Sequence, residues 1–122
     1  MSAQTEFSIV FNKLKSILQP YAKKLLVKID TPEGYSLDGS YSKKWNKELF
    51  FGTAQIKKNY VSFYLMPVYM YPDLLKNISP ELKKHMQGKS CFNFKKIETP
   101  LRDELAQLTE QGFERFIKEE YS

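Results

Sequence analysis

Two short segments alternate strictly between apolar and polar side chains, and a period of two marks a strand with one buried face. In the first, Val61, Phe63 and Leu65 fall on one side and Tyr60, Ser62 and Tyr64 on the other. In the second, Phe92 and Phe94 oppose Cys91, Asn93 and Lys95. A slip of one residue would turn either apolar set to water, so each segment fixes its own register. Any fold open to this chain must therefore cover one face of a sheet.

Helical segments at both ends supply the cover. Phe7, Val10, Phe11, Leu14, Ile17 and Leu18 recur three and four apart, which predicts an amphipathic helix over 5–19 with Thr5 as its N-cap. Pro20 then opens a shorter helix reaching about Val27. Near the other end Thr99 caps and Pro100 begins a helix with an apolar stripe of Leu101, Leu105, Leu108, Phe113, Phe116 and Ile117. Asp103, Gln107, Glu110 and Glu114 line its opposite side.

The interior reads as strands and turns. Thr31-Pro32-Glu33-Gly34 and Asp38-Gly39 are turn signals, and Tyr35 to Tyr41 is expected as a short edge strand. Glu48–Lys57 and Tyr60–Met66 form a β-hairpin about Lys58-Asn59, with Asn59 tolerating a left-handed turn. Pro67 ends the second arm. Pro72 to Lys76 forms one helical turn. Ser79 caps a helix that starts at Pro80, runs to about Met86 and stops at Gly88. The expected architecture is one α+β domain over residues 1–122, a small antiparallel sheet packed against N- and C-terminal helices.

Composition narrows the function classes. With one cysteine, Cys91, the chain forms no internal disulfide, and its first residues lack the basic start and apolar run of a secretory signal. No apolar run approaches the roughly 20 residues that span a membrane. A cytoplasmic protein is expected. Residues 1–97 hold sixteen Lys/Arg against seven Asp/Glu, whereas residues 98–122 hold three against seven. A basic body of this kind attracts anionic partners. Seventeen of the nineteen basic residues are lysines, however, and arginine is the residue that forks onto phosphates and base edges, so nucleic acid is disfavoured.

The side chains capable of chemistry are few. His85 and Cys91 are two of the four ligands a structural zinc site needs, so no metal or cofactor is assigned. Cys91 has lysines nearby in the sequence, but a thiol nucleophile also needs an oriented base and oxyanion donors, and neither is visible. No catalytic residue is assigned. The tyrosines on the polar face of the hairpin, together with Tyr69 and Tyr71, are suited to line a ligand pocket with lysines at its rim. Once the apolar face is assigned to the core, the candidate ligand-binding residues are Tyr60, Tyr64, Cys91, Asn93 and Lys95. The expected function is non-catalytic binding of an anionic small molecule or a protein partner, by a monomer or homodimer.

Several segments resemble the YdhG-like family of uncharacterised bacterial proteins. They are Asn59-Tyr60-Val61-Ser62-Phe63 with Leu65-Met66-Pro67-Val68-Tyr69, then Ser79-Pro80-Glu81-Leu82-Lys83-Lys84, then Gln87-Gly88-Lys89-Ser90-Cys91-Phe92-Asn93-Phe94. The resemblance covers roughly residues 48–118 and implies a frataxin-like α+β domain. Some members of the wider group are described as iron chaperones, which makes frataxin-type iron binding and delivery the alternative function. That role relies on an acidic ridge on the first helix and adjoining strand. Here the helix offers Glu6 among Lys13, Lys15, Lys23 and Lys24, and Tyr64 stands where other members often carry His.

Overall fold

The computed structural model describes the backbone of residues 3–121 and the side chains of residues 6–121. Helix α1 (Ala3–Leu18) leads through a 3-10 turn at Gln19–Tyr21 into strands β1 (Leu26–Thr31), β2 (Gly34–Ser42), β3 (Lys47–Ile56) and β4 (Val61–Leu65). Two short helices, α2 (Met66–Met70) and α3 (Pro80–Lys83), flank a 3-10 turn at Pro72–Leu75. Strands β5 (Met86–Gln87) and β6 (Cys91–Phe94) and helix α4 (Thr99–Glu120) complete the chain. The sheet is antiparallel with order β1-β2-β3-β4-β6-β5. The α+β architecture is the expected one: a sheet packed against an N-terminal and a C-terminal helix.

Register explains which face is buried. Tyr35, Ala54, Phe63 and Phe92 lie opposite one another across β2, β3, β4 and β6, and all four are buried. Leu65, Val61 and Phe94 extend the same face, and Val10, Phe11, Leu14, Ile17 and Leu18 of α1 join it in one core. In β3 the register shifts where Leu37 pairs with Gly52 and Asp38 with Phe50. This bulge turns Phe51 into the core, where it packs against Phe113 and Phe116 of α4 with ring centroids 5.7 and 5.4 Å apart. Helix α4 meets α2 at Gly112, where a Cβ would lie 3.0 Å from Pro67 Cβ, so the absent side chain permits the close approach.

Several local expectations are corrected. Tyr35–Tyr41 lies inside a nine-residue strand, second in the sheet, and the edge is β1, in a region read as a helix end and turns. Only Pro32 and Glu33 separate β1 from β2. Pro20 sits in the 3-10 turn and not in a longer helix. Lys58-Asn59 does form the two-residue loop, closed by Lys57 N–H donating to Tyr60 O at 2.8 Å. Yet among the described residues Asn46 alone of the non-glycines is left-handed, with φ 57°, in the β2–β3 connection. Ser79 caps α3 as expected, its Oγ accepting from Leu82 N–H at 3.1 Å. That helix ends at Lys83, because Met86 and Gln87 pair with β6, and Gly88 (φ 84°) makes the β5–β6 turn. Glu98 rather than Thr99 precedes α4, Thr5 falls inside α1, and Ile117 is exposed.

The C-terminal end of α4 is fastened to the β2–β3 turn through Glu120. Its buried carboxylate accepts from Trp45 Nε1–H at 2.6 Å and from the Tyr71 hydroxyl, and Lys44 Nζ stands 3.5 Å away. Burial pushes the Glu120 pKa up, but the bonds from Tyr71 and Trp45 and the Lys44 charge outweigh it and leave the carboxyl below its ordinary value. A depressed carboxyl contributes stability that is complete above the unfolded value, near 4.5, and is lost as pH falls through the lower folded one. Glu120→Gln is therefore expected to cost about 1–3 kcal/mol in urea unfolding at pH 7. The gap to the parent protein should close as the pH is taken below the carboxylate range. A gap that is the same at both pH values would refute the charged clamp.

Candidate functional site

The polar sides of β4 and β6 face away from both long helices. Pairing sets Tyr64 opposite Cys91 and Ser62 opposite Asn93, and β3 adds Thr53 opposite Tyr64 and Gln55 opposite Ser62. Asn93 organises the group. Its side-chain carbonyl accepts from Ser62 Oγ–H at 2.8 Å and from the Cys91 thiol at 3.2 Å. The Tyr64 phenol is held above its ordinary pKa by a hydrogen bond with the Cys91 sulfur, by the charge that sulfur would carry, by burial and by Tyr60. Small Ser62 and Cys91 are buried between larger neighbours, Tyr64 is exposed and Tyr60 is half-buried.

Three of the five sequence candidates, Tyr64, Cys91 and Asn93, thus share one hydrogen-bonded cluster with Ser62. Tyr60 precedes β4 on the strand's polar side. Lys95 is separate: it follows β6 and, with Lys96 and Lys13, lines a groove of about 350 Å³ against Ile9 and Val10 of α1.

Cys91 does not face a base. The His85 ring stacks on Phe94 with centroids 4.6 Å apart, and its Nδ1 meets Asn93 O at 3.0 Å. A carbonyl can only accept, so Nδ1 carries the proton there. The thiol's own partner is an amide oxygen, which accepts its hydrogen bond but is too weak a base to remove the proton and generate a nucleophile. Among the described residues no three His, Cys, Asp or Glu side chains gather as a metal site requires. No helix among them is long and apolar enough to cross a membrane.

A second hollow went unread in the sequence. It measures about 480 Å³ and lies between the start of β3, the β2–β3 turn and α2, lined by Trp45, Phe50, Met66, Tyr69, Met70 and Asp38 among others. Its residues come from three separated stretches, and no periodicity links them. Tyr69 was named in the sequence as suited to line a pocket, but nothing there joined it to Trp45 or Phe50, and in the structure both Trp45 and Tyr69 are half-exposed.

Comparison with known protein families, curated proteins and solved structures finds no match to this chain.

The cluster predicts a slow thiol. With 6% of Cys91 exposed and its S–H engaged, Ellman's reagent should react at least about tenfold more slowly with the native protein than with the urea-unfolded chain. Equal rates would mean that Cys91 is open to solvent and poised for chemistry.

Proposed function

We propose that this chain is a cytoplasmic, non-catalytic binding module, related to the YdhG-like bacterial proteins, that holds an anionic small molecule. The observation that carries this reading is the groove beside α1. Lys13, Lys95 and Lys96 surround a floor of Ile9, Val10 and Ile97, and the three ammonium groups outnumber the carboxylates of Glu6 and Glu98. Lys95 and Lys96 have no ion-pair or hydrogen-bond partner among the described residues. Lys13 is steadied by donating to Ile97 O at 3.3 Å. An apolar wall with a few convergent charges suits a ligand that pairs a short hydrocarbon with a phosphate or carboxylate.

The small extent of the groove favours a small molecule over a protein partner, which takes a broad patch. The face around Asn93 speaks against thiol catalysis, because the Cys91 S–H donates to an amide oxygen and meets no base. Frataxin-type iron delivery draws no support from this geometry.

Hexyl phosphate is a suitable probe. Titrated to about 10 mM, it should shift the amide resonances of Lys13 and residues 95–97, and Lys95→Ala with Lys96→Ala should weaken binding about tenfold. Absence of any shift, or equal binding of hexyltrimethylammonium at the same resonances, would discard the anion-binding reading.

A further inference from the structure

The hollow between β3 and α2 has a different chemistry from the lysine groove. Aromatic and thioether side chains form most of its wall: Trp45, Phe50 and Tyr69, with Met66 and Met70. Aromatic faces carry negative quadrupole charge, and thioethers are polarisable, so such a wall receives a weakly hydrated cation better than an anion.

The one carboxylate within this wall that lacks a partner is Asp38. It pairs across the sheet with Phe50, is half-buried, and has no hydrogen-bond or ion-pair partner among the described residues. The neighbouring carboxylate, Glu48, is already engaged by Lys28 Nζ at 2.7 Å. Burial, opposed by Lys28 and reinforced by Glu48, holds the Asp38 carboxyl above its ordinary pKa. A desolvated carboxylate against aromatic rings is an arrangement that a cationic ligand relieves.

The wall is also pre-set. Trp45 is fixed by its bond to Glu120, and Lys44 Nζ lies 5.8 Å from the centroid of its ring. The chain thus already places one ammonium group over this indole. Lys47, which also borders the hollow, is exposed on the strand's first residue.

We propose that this hollow is a binding site for a small organic ammonium ion, with Asp38 as counter-ion and Trp45, Phe50 and Tyr69 as the walls of an aromatic cage. The site is independent of the anion groove, so the failure of either reading leaves the other standing.

Trp45 is the only tryptophan, so its emission reports directly on occupancy. Choline and its uncharged isostere 3,3-dimethylbutan-1-ol are the probes. Choline should change the emission saturably below about 20 mM, and the alcohol should bind at least about tenfold more weakly. Asp38→Asn should weaken choline about fivefold or more. Tyr69→Ala, at a side chain 56% exposed and so of little weight for folding, should also weaken it while leaving the melting temperature near the parent value. Equal affinity for the two probes, or unchanged choline binding in both variants, would overturn the proposal. So would the lack of any saturable change with choline.

Discussion

Phe63 and Phe92 lie opposite each other across β4 and β6, and with Ala54 and Tyr35 they form the row beneath α1 on which the molecule rests. Burial of a phenylalanine side chain contributes about 2–3 kcal/mol. Several such rings in one layer outweigh the weak individual preferences of the loops around them. The helices are placed by this layer: α1 lies over it, and α4 reaches it through Phe116 and Phe113 against Phe51. Because both long helices sit on one side, the alternate residues of the same strands are released for other work.

Those alternate residues have separate fates. Ser62, Cys91 and Asn93 satisfy one another and form a quiet polar surface with the Tyr64 hydroxyl. Lys95 passes beyond the strand and, with Lys96, joins Lys13 of α1 around an apolar floor. At the opposite end, the bulge that turns Phe51 inward leaves Phe50 facing out beside Asp38, and this aims the aromatic hollow. One irregularity in β3 therefore serves both the core and the hollow. Glu120 links them, since the carboxylate that fastens α4 also fixes the indole of Trp45.

What could be read from the sequence followed pattern strength. The amphipathic stripe of α1, the alternation of β4 and β6, and the Ser79 cap each express a local rule that the tertiary structure obeys. β1 was hidden because its residues are mostly exposed: an edge strand bordered on one side only carries no clean alternation, and its own register shift between Val27 and Ile29 blurs it further. β2 was read as a short edge strand because turn signals precede it at Gly34 and interrupt it at Asp38-Gly39, yet it runs one residue further at each end and lies second in the sheet. In the fold Gly39 lies beneath Tyr121 and Phe116, where a side chain would collide. The left-handed asparagine was expected at residue 59 and occurs at 46, since a two-residue loop can close without it. The aromatic hollow joins residues 38, 45, 50 and 66–70, a meeting that only tertiary folding creates.

The central claim is that adjacent residues of β4 belong to opposite faces, one set to the apolar core beneath the helices and the next to a polar, hydrogen-bonded side that faces away from them. Urea unfolding of Phe63→Ala and Ser62→Ala tests it at neighbouring positions, both nearly inaccessible to solvent. Phe63→Ala is expected to cost about 3–5 kcal/mol through the cavity it leaves. Ser62→Ala should cost about 1 kcal/mol, the worth of its single bond to Asn93. Equal losses at the two positions would contradict a sheet with its apolar core on one face only.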